Sequence, residues 1–169
     1  MSGETAVIDR SAWLSTCGQY RYSLTRLWGD GDTALWVMLN PSTADADVDD
    51  PTIRRCMAFT RSWGLDGMTV VNVFALRATD PRELTGHPDP VGPANRDAVL
   101  AAFDQAAVTV AAWGQSWPKA YAMTVHRMAK LLAGRAHHLG LTQSGQPMHP
   151  LYRPAKSPLL PFRALGDGA

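Results

Sequence analysis

Hydrophobic and polar positions alternate from Tyr20 to Trp28, as they do in a half-buried strand, and Gly29-Asp30-Gly31-Asp32 is a turn signal. Ala34–Leu39 follows as an unbroken apolar run, which predicts a hairpin feeding a buried strand. Pro51-Thr52 opens a helical pattern that runs to Trp63, with Ile53, Cys56, Met57 and Trp63 on one face and Gly64 at its end. Met68–Leu76 is a second buried strand. Pro81–Pro93, rich in Pro, Gly and Asp, is a loop. Ala94–Ala106 is helical, Val108–Trp113 is a third strand ending at Gly114, Lys119–Ala133 is a helix closed by Gly134, and His137–Leu141 is a short fourth strand. Residues 1–15 are assigned no element and are open to disorder, and 147–169 forms a Pro-rich C-terminal tail on a single domain, 1–169.

Alternating strands and helices imply a three-layer α/β/α fold. The expectation is a four-stranded, mostly parallel sheet with an added N-terminal antiparallel hairpin strand. Right-handed crossovers then bring the strand C-termini to one edge, where open α/β sheets place ligands. Four polar clusters converge there: Asn40-Pro41, Asn72–Arg77, Trp113-Gly114 and Thr142–His149.

Composition narrows the function. The chain has 169 residues, of which 46 % are hydrophobic, enough for a real core. No apolar run approaches the roughly 20 residues of a membrane span, and the N-terminus has neither the basic start nor the apolar middle of a signal peptide. The expected partner list therefore includes no membrane. Cys17 and Cys56 read as reduced thiols of a cytoplasmic protein. A formal net charge of +1 lacks the electrostatic footprint of a strong non-specific DNA binder.

The candidate chemistry sits on the expected rim. Proline biases the preceding residue toward extended backbone, so Asn40 presents its carboxamide at a strand end. That group can hold a water or read an amide-like edge, but it is too weak a base to remove a proton; Pro41, Ser42 and Thr43 extend the same turn. The competing reading is a turn that merely stops a strand. His149, bracketed by prolines, can donate a hydrogen bond to a developing oxyanion, or stand as a solvated loop histidine. Asp45, Asp47, Asp49 and Asp50 alternate like the start of a calcium loop, but Asp50 and Cys56 occupy the places of its glycine and glutamate. Asp49 and Asp50 read instead as acidic caps of the following helix. Asp45 is left a catalytic or magnesium role. No cofactor is expected; the one metal arrangement the pattern admits is Mg2+ on Asp45, Asp47 and Asp49. Arg54 and Arg55 suit a phosphate or these acids. Phe74 and Trp113-Gly114 fall near the rim, where a planar base can stack, although core packing is the common fate of such aromatics.

Together, the segments YRYSLTRLWGDG, LWVMLNPSTADADVDDPTIRRC, VVNVFALRATDP, VAAWG and LGLTQSGQPMHPLY closely resemble a family of bacterial and phage proteins known as the domain of unknown function 1643, across about Tyr20–Pro161. The layout also resembles the uracil-DNA glycosylase superfamily. In that resemblance Asn40-Pro41 is similar to a water-positioning motif, Asn72 to a residue that reads the pyrimidine edge, Val110–Gly114 to an apolar run ending in Trp-Gly, and His149-Pro150-Leu151-Tyr152 to a His-Pro motif followed by a gap-filling leucine. Met38 and Leu39 stand where that superfamily has a glycine, and Leu151 where it has a serine.

The resemblance implies an N-glycosidic bond hydrolase acting on a base, modified or not, in DNA or in a nucleotide, in DNA repair or modification. Asn40 would hold the attacking water, Asn72 would read the base, and His149 would hydrogen-bond the departing base. On DNA, Leu151, Tyr152 or Arg153 would plug the gap left by a flipped base, and Lys156 and Ser157 would meet phosphate. The alternative is a non-catalytic module that binds nucleotides or modified bases, in phage defence or DNA modification.

Overall fold

The computed structural model describes residues 3–42 and 46–163. One seven-stranded sheet, ordered β1-β2-β4-β3-β5-β6-β7, organises them. Its strands are β1 (Asp9–Leu14), β2 (Arg21–Leu27), β3 (Thr33–Met38), β4 (Gly67–Asn72), β5 (Val108–Ala111), β6 (His137–His138) and β7 (Leu160–Pro161). The α-helices are α1 (Pro51–Ser62), α2 (Asn95–Gln105) and α3 (Ala122–Leu132). The pairs β4–β3, β3–β5 and β5–β6 are parallel, whereas β1–β2, β2–β4 and β6–β7 are antiparallel. This mixed sheet overturns the expected four-stranded, mostly parallel, uracil-DNA glycosylase-like architecture, and with it the DNA-glycosylase reading built on that fold.

The correction has identifiable causes. The turn at Gly29–Asp32 does not join paired neighbours, because β4 lies between β2 and β3. Trp28 and Gly29 donate backbone N–H groups to Asp66 O at 2.9 and 3.1 Å, and Gly31 N donates to Asp66 Oδ2 at 2.8 Å. The turn thus clasps the residue just before β4 and admits that strand beside β2. A Cβ on Gly29 would lie 2.6 Å from Asp66 Cγ, so a side chain there would displace the carboxylate that Gly31 N holds. Residues 1–15, assigned no element from the pattern, contain β1, whose mostly exposed residues show no alternation. The Pro-rich tail contributes a short 3-10 turn at Pro150–Tyr152, then β7 and the buried Phe162.

Two apolar clusters flank the sheet. On one face Trp36, Met38, Met68, Val70 and Val110 pack against Ile53, Cys56 and Phe59 of α1. On the other, Leu35, Val37, Val71 and Ala111 pack against Ala98, Val99 and Phe103 of α2 and Val125 and Leu132 of α3. The alternation of inward positions thus fills both layers at once. A buried hydrogen bond from Trp36 Nε1 to Thr60 Oγ1, 3.0 Å, ties β3 to α1.

Helix α1 begins where the sequence suggests. Asp50 is its N-cap, with Oδ1 accepting from Ile53 N at 2.8 Å, and Pro51 occupies the first turn. Asp49 does not cap; it accepts from Arg26 Nε at 2.8 Å and Arg10 Nη1 at 2.9 Å. Burial raises the Asp49 carboxyl, but hydrogen bonds and charge from the two arginines outweigh it and hold the pKa below its ordinary value. The segment leading into α1 is therefore pinned to β2.

Candidate functional site

The parallel strands place their C-termini together. Met38 of β3 pairs with Asn72 of β4, and Val37 with Ala111 of β5. Beyond Asn72 the apolar run continues: Val73 N and Phe74 N still donate to Met38 O and Leu39 O, and the chain then turns away, with Ala75 N and Leu76 N donating to Val91 O and Pro90 O. At this divergence a cleft of about 330 Å³ opens, within the size range of small-molecule sites. Asn40, Ser42, Asp50, Asn72, Trp113 and His149 line it, together with Arg21 and Tyr152.

Asn72 is the anomaly in this wall. Met68 and Val70 of β4 belong to the core cluster under α1, and the alternation puts Asn72 on the same face, where an apolar residue is expected. It is 1 % exposed, yet neither Oδ1 nor Nδ2 has a hydrogen-bond partner among the described residues. Each unsatisfied buried polar group typically costs about 1–3 kcal/mol. Its backbone is fixed from the opposite side, since Asn95 Nδ2 donates to Asn72 O at 2.8 Å and to Val73 O at 3.2 Å. The strand end is held from behind, and Asn72 lines the cleft with both halves of its buried carboxamide unspent.

Asn40 is placed differently. Its Nδ2 donates to Ala78 O at 2.8 Å and Pro41 O at 3.2 Å, which leaves Oδ1 as the atom able to accept from a ligand or water. His149 caps the 3-10 turn at Pro150–Tyr152, with Nδ1 accepting from Leu151 N at 3.2 Å. That bond fixes the tautomer: the proton of the neutral ring sits on Nε2. Burial lowers the His149 pKa, and the opposing charge of Asp50 only partly restores it, so the ring is neutral at neutral pH. Gly114, at φ 69°, turns the chain after β5 and donates its N–H to Pro147 O at 2.8 Å, docking the loop that carries His149. Trp113 Nε1 donates to Gln146 Oε1 at 3.0 Å and fastens the same loop.

Asn40, Ser42, Asn72, Trp113, Gly114, Tyr152 and His149 therefore share one cleft, as the sequence suggests, although Asn40 and His149 lie over a hundred positions apart. Other candidates lie elsewhere. Phe74 is a core residue packed on Tyr121, with ring centroids 4.9 Å apart. Arg54 Nη1 donates to Asp49 O, and Arg55 Nη2 to Arg153 O. Arg153 Nε donates to Leu139 O at 2.7 Å, so its guanidinium fastens the C-terminal segment rather than lining the cleft. Leu151 is exposed outside the cleft, and Tyr152, 75 % exposed, stands at its mouth. Pro41 contributes its carbonyl to Asn40 and Ala78 but does not line the cleft. Thr43 and Asp45 lie outside the described residues.

Sequence reasoning missed two charged members of the wall. Arg21 is 3 % exposed at the start of β2, an unusual depth for an arginine. Asp50 was legible only as a helix cap, yet it also faces the cleft, where Oδ2 accepts from Ser42 Oγ at 2.8 Å. Among the described residues no group of three His, Cys, Asp or Glu side chains is arranged to hold a metal. The Asp49 carboxylate, a member of the one magnesium arrangement the sequence pattern admits, is engaged by Arg10 and Arg26. No helix among the described residues is long and apolar enough to cross a membrane.

Comparison with known proteins gives one match. Neither a curated protein nor a solved structure matches the chain, so nothing ties it to the uracil-DNA glycosylases. The model of a family described as "Protein of unknown function (DUF1643)" matches residues 21–151, well over half of the chain and every described residue of the cleft except Tyr152. The chain belongs to the DUF1643 family.

Proposed function

We propose that the cleft binds a small planar ligand with adjacent hydrogen-bond donor and acceptor atoms, of the nucleobase class, presented as a free nucleoside or nucleotide. The observation that carries this reading is the unspent, buried carboxamide of Asn72. An amide offers one acceptor and two donors in a plane, and a base edge returns the complementary pair. A site that buries such groups rejects ligands unable to satisfy them far more strongly than an apolar pocket rejects a misfit. Trp113 supplies an aromatic wall, and Arg21 brings positive charge to the same lining.

A second reading, hydrolysis of the N-glycosidic bond of that ligand, is favoured by the His149 tautomer. Its protonated Nε2 is a donor suited to negative charge growing on a departing base. The near-neutral chain and the size of the cleft fit a free small molecule, and the reading needs no nucleic-acid groove. The test is calorimetric titration with uridine, cytidine, adenosine, inosine and their 5′-monophosphates. Binding of at least one, weakened on the order of 10- to 100-fold by Asn72→Ala, supports the proposal; no binding across the panel refutes it.

A further inference from the structure

Asp50 is the only carboxylate among the described residues that line the cleft. Its two oxygens are held from opposite sides, Oδ1 by Ile53 N and Oδ2 by Ser42 Oγ, both at 2.8 Å. Each bond occupies one lone pair, so each oxygen keeps another for a water in the cleft. Asp50 and His149 line the same cleft, and the Asp50 charge acts on the His149 ring. Asn40, the residue the sequence nominates to manage water, has given its amide N–H groups to Pro41 O and Ala78 O and retains only a carboxamide oxygen, which has negligible basicity.

We propose that Asp50, rather than Asn40, is the catalytic base of the site, activating water for hydrolysis of the N-glycosidic bond of a nucleoside or nucleotide. The proposal rests on the nucleobase reading of Asn72. In the step, the C1′–N bond breaks and its electron pair leaves with the base nitrogen, while His149 Nε2–H hydrogen-bonds the departing base. Water oxygen forms the new bond to C1′, and its proton passes to Asp50. That proton then goes to the released base, through solvent, which restores the carboxylate. The products are the free sugar, or sugar phosphate, and the free base, and no further reactant is consumed. Ser42 is a positioning residue: its hydroxyl fixes the plane of the carboxylate.

The experiment incubates the full chain with the four nucleosides and four monophosphates above and measures released base by chromatography, with binding of the same compounds measured in parallel. Asp50→Asn retains a side chain that caps helices as well as aspartate does, so the fold is kept. The expected result is release of base from at least one compound. Asp50→Asn should lower kcat at least 100-fold, with KM within about threefold. Asp50→Asn that keeps more than a tenth of kcat overturns the role of Asp50. Binding without release of base from any compound overturns hydrolysis while the nucleobase reading stands. Absence of binding overturns both.

Discussion

Removing the Asp49 carboxylate isolates the contact that seats Asp50 and the start of α1 against the sheet. Arg26 has a fully buried side chain, 0 % exposed, and Asp49 a largely buried one, 16 % exposed. Breaking a buried pair by deleting one partner leaves the other charge desolvated, typically at about 3–5 kcal/mol. Because Asp49 keeps one edge toward solvent, Asp49→Ala is expected at the lower end, about 3 kcal/mol. The Arg10 side chain is 37 % exposed, so Arg10→Ala should cost less than about 1 kcal/mol. Equilibrium unfolding in urea at pH 7 reads both. The Asp49 pKa lies below its ordinary value of 3.8 in the folded protein. Its contribution is therefore complete above that value and is lost as pH falls through the folded pKa, so wild type and Asp49→Ala should converge in stability on acidification below 3.8. A penalty under about 1 kcal/mol at pH 7, or a stability difference that persists unchanged under strong acid, refutes the reasoning.

Other outcomes follow from neighbouring contacts. Asn72→Leu, close to it in volume, should raise the stability of the ligand-free protein by about 1–2 kcal/mol in urea unfolding, because it removes two unsatisfied polar groups; a loss of stability would show the carboxamide to be satisfied. Thr60→Val strands the buried Trp36 Nε1–H and should cost about 1–3 kcal/mol in the same assay. His149 and His138 should titrate below 6.5 by NMR, both pushed down chiefly by burial; a His149 pKa above 6.5 would remove the neutral Nε2 donor at work in the cleft. Gly114→Ala, forced into a left-handed conformation, should cost about 1 kcal/mol in stability and weaken ligand binding by loosening the loop that carries His149.

Local signals in the sequence did well where one segment determines its own structure. Asp50-Pro51 announces the start of α1 through a cap and a fixed φ, and the Ala34–Leu39 run announces a strand buried on both faces. Sheet order is not local. The Gly29–Asp32 turn resembles a hairpin loop, and only the tertiary bonds of its backbone to Asp66 reveal that β4 separates the two strands. β1 carries no pattern because most of its side chains are exposed, and two-residue strands such as β6 and β7 are too short to have a period. At the site, Asn40 and His149 were legible because prolines mark them. Asn72 was placed on the rim with the Asn72–Arg77 cluster but given a role only through resemblance, although a polar residue ending the series Met68, Val70, Asn72 on a core face is a physical signal in its own right. Asp50 was obscured by its own success as a cap, and Arg21 by a position that resembles any arginine at the edge of a strand.

The most direct measurement is calorimetric titration of wild type and Asn72→Leu with the same nucleosides and monophosphates. The prediction is a compound that binds the wild type and fails to bind a stably folded Asn72→Leu. Equal affinity for the two proteins, or heat from neither, would contradict a nucleobase site at the end of β4.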